Sequence, residues 1–164
     1  MSSALFTTVE VLDIDASSFK MNGLSRDAVF KNIDADLAMV RSQGGCLKIT
    51  TSGKLAPTIS IRNTEFISNL AMQGGAIYMD QINSVDIEVH SCTFSGNNAI
   101  SGGVIYISEV KSISLLITDS EFIANYANTD GGVMTAFLST GSLLEFRGAN
   151  ITDNLAHYGS SFNV

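Results

Sequence analysis

The chain has 164 residues, of which 45% are hydrophobic and only 15% charged, against roughly 25% charged in typical domains. That length suits a single domain. It buries about 70% of the extended chain's surface, so no metal or disulfide staple is required. A net charge of −7 provides no basic patch to release counterions and excludes nucleic acid as a partner, and no run approaches the ~18 apolar residues of a membrane-spanning helix, so no direct membrane insertion is expected.

The opening "MSSALFTTVEVLDI" (Met1 to Ile14) lacks the basic start and long apolar stretch of a signal peptide. It enters a strand at once, so any signal or anchor is expected outside this chain. Phe19-Lys-Met-Asn22 then carries the first copy of a marker that recurs down the chain. The stretch from Gly23 to Gln43 falls out of phase with it: Phe19 to Phe66 spans 47 residues, 19 more than the later period of 28. Residues 23–43 read as an irregular coil, with Ala28-Val29-Phe30 in the place of the later Ala76-Ile77-Tyr78, or as an amphipathic helical insertion using Val29, Ile33, Leu37 and Val40.

From Gly44 onward the repeat is regular. Glycine pairs begin at Gly44, Gly74 (with Gly75), Gly102 (with Gly103) and Gly131 (with Gly132), and the last copy reads Gly159-Ser160. Ahead of each pair stand Phe66, Phe94, Phe122 and Ile151, then Asn69, Asn97, Asn125 and Asn154, then Ala71, Ala99, Ala127 and Ala156. Several markers in phase over four copies identify a repeat architecture.

Upstream of each Phe, Val85-Ile87-Val89 and Ile113-Leu115-Ile117 alternate with polar residues, and Ile59 and Ile61 do the same one copy earlier. Period two with β-branched residues predicts strands, and the residues after each glycine pair predict another, giving two or three strands per repeat. The glycine pairs recur once per 28 residues rather than once per hairpin. The prediction is therefore an all-β parallel β-helix over 1–164, one repeat per coil, each strand pairing with its counterpart about 4.8 Å away. Equivalent residues then stack: the Phe column inside, the glycine pairs at a corner needing positive φ or close approach, and the Asn column at another corner, where Asn tolerates left-handed φ and bonds the amide above it.

"CTFSGNNAISGGVIYI" and "TEFISNLAMQGGAIYM" resemble the FxxN…GGA(I/V) repeat of polymorphic outer membrane proteins, bacterial autotransporter adhesins, and the repeats of pectate-lyase-like surface proteins. Only Gly74-Gly75-Ala76-Ile77 is a full GGAI. The resemblance covers residues 59–164 and only loosely residues 9–58. It implies a right-handed helix at the cell surface or outside the cell, acting in adhesion or assembly without catalysis. Its partners would be carbohydrate, a host or cell-surface protein, or neighbouring coils and copies of itself at open solenoid ends.

Two outward columns carry what chemistry the pattern offers. Asp15, Arg62, His90, Thr118 and Arg147 form one; Asp13, Ser60, Glu88, Leu116 and Glu145 form the other. Carboxylates beside arginine on such a face suit the alternative function, a pectate-lyase-like lyase or hydrolase of acidic polysaccharide, with Arg62, Glu88, His90, Glu145 and Arg147 as candidates. Cross-strand ion pairs on a solvated face explain the same residues, and an acidic chain repels an anionic substrate. Cys92, in a column with Thr64, Ser120 and Ala149, reads as a small buried residue, and Cys46 lies in a different column, so no disulfide between them is expected. Asp13/Asp15 and Asp34/Asp36 are isolated D-x-D pairs, and neither a metal nor any other cofactor is expected. Asn150-Ile151-Thr152 is the one glycosylation sequon.

Overall fold

Val85, Ile87 and Val89 turn inward while Asp86, Glu88 and His90 turn outward along one strand, and five such strands lie side by side. The computed structural model describes residues 4–6, 11–20, 44–50 and 56–164; among them there is no helix. In chain order the first coil holds β1 (Ala4–Phe6), β2 (Val11–Asp15) and β3 (Ser18–Lys20). The second holds β4 (Leu47–Thr50), β5 (Thr58–Arg62) and β6 (Glu65–Ile67). The third holds β7 (Ile77–Asp80), β8 (Val85–His90), β9 (Thr93–Ser95) and β10 (Asn98–Ser101). The fourth repeats it as β11 (Ile105–Val110), β12 (Ile113–Thr118), β13 (Glu121–Ile123) and β14 (Tyr126–Asp130). Last come β15 (Met134–Leu138), β16 (Leu143–Arg147), β17 (Asn150–Thr152) and β18 (Phe162–Asn163).

Every strand pairs in parallel with its counterpart one coil away. The first sheet runs β1-β4-β7-β11-β15-β18, the second β2-β5-β8-β12-β16 and the third β3-β6-β9-β13-β17, with β10 and β14 forming a short fourth strip. The chain is thus a parallel β-solenoid with a spacing of about 28 residues. The fourth strip lies between the Asn and glycine corners, one strand more than the sequence pattern predicts.

Phe19, Phe66, Phe94 and Phe122 stack nearly parallel inside, with centroids 5.1, 4.8 and 4.8 Å apart. Phe66, Phe94 and Phe122 are fully buried. Ile151 follows in register above Phe122, and Phe146 meets the Phe122 ring edge-on at 6.1 Å. Each such ring pair adds about 0.5–1.5 kcal/mol beyond the area it buries.

The two glycines of each pair have separate duties. The first, as at Gly74 (φ 63°), is left-handed. The second is a close approach: a Cβ on Gly75 would overlap the carbonyl oxygen of Gly103, and one on Gly103 that of Gly132.

The Asn column departs from expectation in one respect. Its members are buried and laddered, but the left-handed residue is the one before each of them: Ser68, Gly96, Ala124 and Asp153, with φ of 55°, 62°, 53° and 56°. The amide ladder requires the Asn backbone N–H to reach the next carboxamide, which leaves the reversal of direction to its predecessor. Further left-handed corners fall at Ala16, Asn63, Ser91, Asp119 and Gly148, and at Gln81 and Glu109. Each non-glycine member costs roughly 1–2 kcal/mol. Each corner in the first of these sets donates its N–H to the next coil as far as Asp119, for example Ser91 to the Thr118 carbonyl at 3.1 Å.

β1 pairs directly with β4, β2 with β5 and β3 with β6. Residues 23–43, read from the sequence as an irregular coil or an amphipathic helical insertion, lie outside the described residues, as do Asp34 and Asp36.

Candidate functional site

The second sheet presents its outer face to solvent. The register sets Asp15 opposite Arg62, Arg62 opposite His90, His90 opposite Thr118 and Thr118 opposite Arg147. Asp13, Ser60, Glu88, Leu116 and Glu145 form the neighbouring column. The two columns read from the sequence are therefore real neighbours.

Their side chains pair mostly along the surface. Arg62 Nη1 lies 3.6 Å from Asp13 Oδ1, and Asn63 donates to Asp15 at 2.9 Å. Arg147 Nε lies 2.6 Å from Glu145 Oε1. That hydrogen bond and its charge hold the Arg147 guanidinium above its ordinary pKa. Ser60 is buried between these longer side chains.

His90 Nδ1 lies 2.8 Å from Thr118 Oγ1 and 3.7 Å from Asp119 Oδ2. A relay needs the hydroxyl on one ring nitrogen and the carboxylate on the other. Here both fall on Nδ1, so this trio does not activate Thr118. Glu88 and Glu145 are two layers apart with Leu116 between them, about 9.6 Å by strand spacing, wider than the ~5 Å of a retaining carboxylate pair and at the upper edge of the ~6.5–9.5 Å of an inverting one, and Glu145 is already paired with Arg147.

A second feature was not legible in the repeat. An open groove of about 720 Å³ runs along the corner between the first and second sheets, lined by Gln81, Asn83, Glu109, Lys111, Phe137 and Ser139 among others. Its origin is a register change. Ile107 to Val110 pairs with Ala136 to Leu138, one residue shorter, so the last coil drops the left-handed residue that Gln81 and Glu109 supply. A turn follows, with Ser142 N–H donating to Ser139 O at 3.3 Å and Gly141 at φ 90°. Phe137 is left 59% exposed, its ring edge-on to Tyr106 at 5.9 Å. The signal available in the sequence was "FLSTGS", where earlier copies carry a charged or amide corner residue.

Cys46 and Cys92 are both buried, and no disulfide joins them. Cys92 Sγ donates to the His90 and Ile61 carbonyls at 3.3 and 3.5 Å, and burial pushes its thiol pKa up. Asn150 and Thr152 are exposed on the outer face of β17, so the sequon faces solvent. Among the described residues no group of three or more His, Cys, Asp or Glu side chains is placed to hold a metal ion, and no helix is long and apolar enough to cross a membrane.

Residues 91–108, which carry Phe94, Asn97 and the Gly102-Gly103 pair, match the model of the Chlamydia polymorphic membrane protein repeat. No curated protein and no solved structure gives a significant match. The family match and the stacked coils agree with the resemblance read from the FxxN and glycine-pair motifs.

Proposed function

We propose that the chain is a non-enzymatic structural or adhesive β-solenoid module of a cell-surface or extracellular protein, a rigid stack that displays its outer faces to a carbohydrate or to a host or cell-surface protein. The observation that carries this reading is the investment of the repeat in stacking. The Phe, Asn and glycine columns of each coil contact the coils beside them rather than converging on a common point. The match to a polymorphic membrane protein repeat supports the cell-surface part. Catalysis is disfavoured by the ion-paired arginines and by both His90 partners falling on one nitrogen.

Two measurements test this. Beads coated with the chain are expected to attach saturably to a glycan array or a cell monolayer, and charge reversals at Arg62 and Glu88 are expected to reduce attachment. Incubation with polygalacturonate and calcium is expected to give no absorbance from unsaturated product. Turnover that disappears in Arg62→Ala or Glu88→Ala would replace this reading with the polysaccharide lyase or hydrolase. The sequon at Asn150 is a modification site only in a host that glycosylates, and a mobility shift lost in Asn150→Gln checks it.

A further inference from the structure

The corner between the first and second sheets holds a step. In the third and fourth coils Gln81 and Glu109 take the same left-handed position, with φ of 55° and 49°, and the Lys111 N–H donates to the Ile82 carbonyl at 3.0 Å. In the fifth coil Phe137 alone stands opposite Ser108 and Glu109, because Ile107 pairs with Ala136 and Val110 with Leu138. Among the described residues no bond joins the Ser139 N–H to the Val110 carbonyl. The fifth coil therefore cuts the corner short, and the groove of about 720 Å³ follows the step. Its cause lies within paired strands: β15 is bonded to β11 on one side and to β18 on the other, so a longer stack would keep the step.

The groove joins one aromatic platform to a rim of hydrogen-bonding groups. Phe137 is 59% exposed, at an outward position where the two earlier coils place Asp80 and Ser108. Its ring is braced edge-on by Tyr106 at 5.9 Å. Gln81, Glu109, Lys111 and Ser139 stand exposed around it and supply amide, carboxylate, ammonium and hydroxyl groups. Gln81 and Glu109 are one coil apart, about 4.8 Å.

This geometry selects the occupant. An added peptide strand needs a free sheet edge, and β7, β11 and β15 are each paired on both sides. A docked helix, about 10–12 Å across, is as wide as the three coils that line the groove, about 10 Å by strand spacing, and its apolar stripe would meet a single ring. A sugar ring suits both parts of the lining. Its face of C–H groups lies flat on an aromatic ring, and the hydroxyls at its edge reach amide, carboxylate and hydroxyl partners. The volume falls within the ~300–1,000 Å³ of small-ligand clefts. Glu109 and Lys111 offset each other's charge, and the net charge of −7 repels anions, so the sugar is a neutral one.

We propose, on the reading of the chain as a surface module, that this step binds a neutral oligosaccharide, with one sugar ring stacked on Phe137 and its hydroxyls bonded to Gln81, Glu109 and Ser139. The carbohydrate partner then meets the chain at the corner, away from the charged columns of Arg62 and Glu88 on the second sheet.

The chain has no tryptophan, so Phe137→Trp places a single indole in the groove. Titration of that variant with neutral hexaoses of glucose, mannose and N-acetylglucosamine is expected to give a saturable change in indole emission with at least one of them, and none with hexagalacturonate. The same hexaose is expected to bind the wild-type chain in isothermal titration calorimetry. Phe137→Ala is expected to weaken that binding about five- to tenfold, the scale of one aromatic stacking contact. A glutamine inserted between Phe137 and Leu138 restores the corner residue of the earlier coils and is expected to abolish binding. No response to any of the three hexaoses, a preference for hexagalacturonate, or binding undiminished in Phe137→Ala would overturn the proposal. Phe137 is an exposed ring, so Phe137→Ala decides the matter even if the insertion fails to fold. Coated beads that still attach to a cell monolayer when no neutral hexaose binds would remove this proposal and leave the surface-module reading in place.

Discussion

Asn97 donates its side-chain amide to the carboxamide oxygen of Asn125 at 3.0 Å, and its backbone N–H reaches the same oxygen at 2.9 Å. The same amide also donates to the Phe66 carbonyl at 2.9 Å. Asn97 Oδ1 in turn accepts the backbone and side-chain N–H of Asn69 at 3.1 and 2.9 Å. One side chain thus ties three coils together at a site closed to water.

Asn97→Ala is therefore expected to destabilise by about 2–4 kcal/mol, since it strands several buried partners that each cost about 1–3 kcal/mol unpaired. Asn154→Ala, at the last rung with less of the corner buried, is expected to cost less. Chemical denaturation followed by far-UV circular dichroism ranks the two. Equal losses would mean that the ladder does not act as a chain of bonds.

Phe94→Ala is expected to cost about 3–5 kcal/mol. The ring is fully buried with neighbours at 4.8 Å on both sides, so its removal leaves a gap that two flat rings cannot close. A thermal melt like that of the wild type would show that the column relaxes.

One corner column gives opposite outcomes at two positions. Gly103→Ala drives a Cβ into the backbone carbonyls of Gly132 and Tyr126, which no rotamer change relieves, and is expected to cost several kcal/mol or prevent folding, about the scale of other severe overpacking. Ser160→Ala is expected to leave the melting temperature unchanged, because Ser160 already carries a Cβ and is exposed. Parallel melts of the two variants decide it.

Alkaline pH is expected to destabilise the fold. Burial, with the nearby Asp80 carboxylate, holds the Tyr78 phenol well above its ordinary pKa, and burial raises that of Tyr106. A group whose folded pKa is raised contributes stability that is complete below its unfolded value, about 10 for tyrosine, and is lost as pH rises through the folded value. Stability is therefore expected to fall from about pH 10 upward, and Tyr78→Phe is expected to flatten that slope. Melting temperatures measured across the alkaline range check it, and an unchanged slope in Tyr78→Phe would assign the loss to other groups.

The period of 28 residues, the inward alternation of Val85, Ile87 and Val89, and the buried Phe and Asn columns are all legible in the order of the amino acids alone. They express local rules, strand alternation and a repeat that must stack on itself, and these hold at every coil whatever the details of the corners. The left-handed residues at Ser68, Gln81, Asn63 and Glu109 carry no common side chain. At Ser68 and Asn63 the left-handed turn goes with a backbone N–H bond to the next coil, to Ser95 and His90, a partner about 28 residues away that no local pattern reveals. The groove at Phe137 arises from a single-residue change of register between β11 and β15, visible only once the two strands lie side by side. The outward columns of Arg62, Glu88 and Glu145 could be listed from the sequence. Which charges neutralise one another, and that His90 turns one nitrogen to both of its partners, depended on side-chain directions that the stacked layers impose. The direction of the corner N–H groups is likewise a property of the coiled backbone and belongs to no residue type.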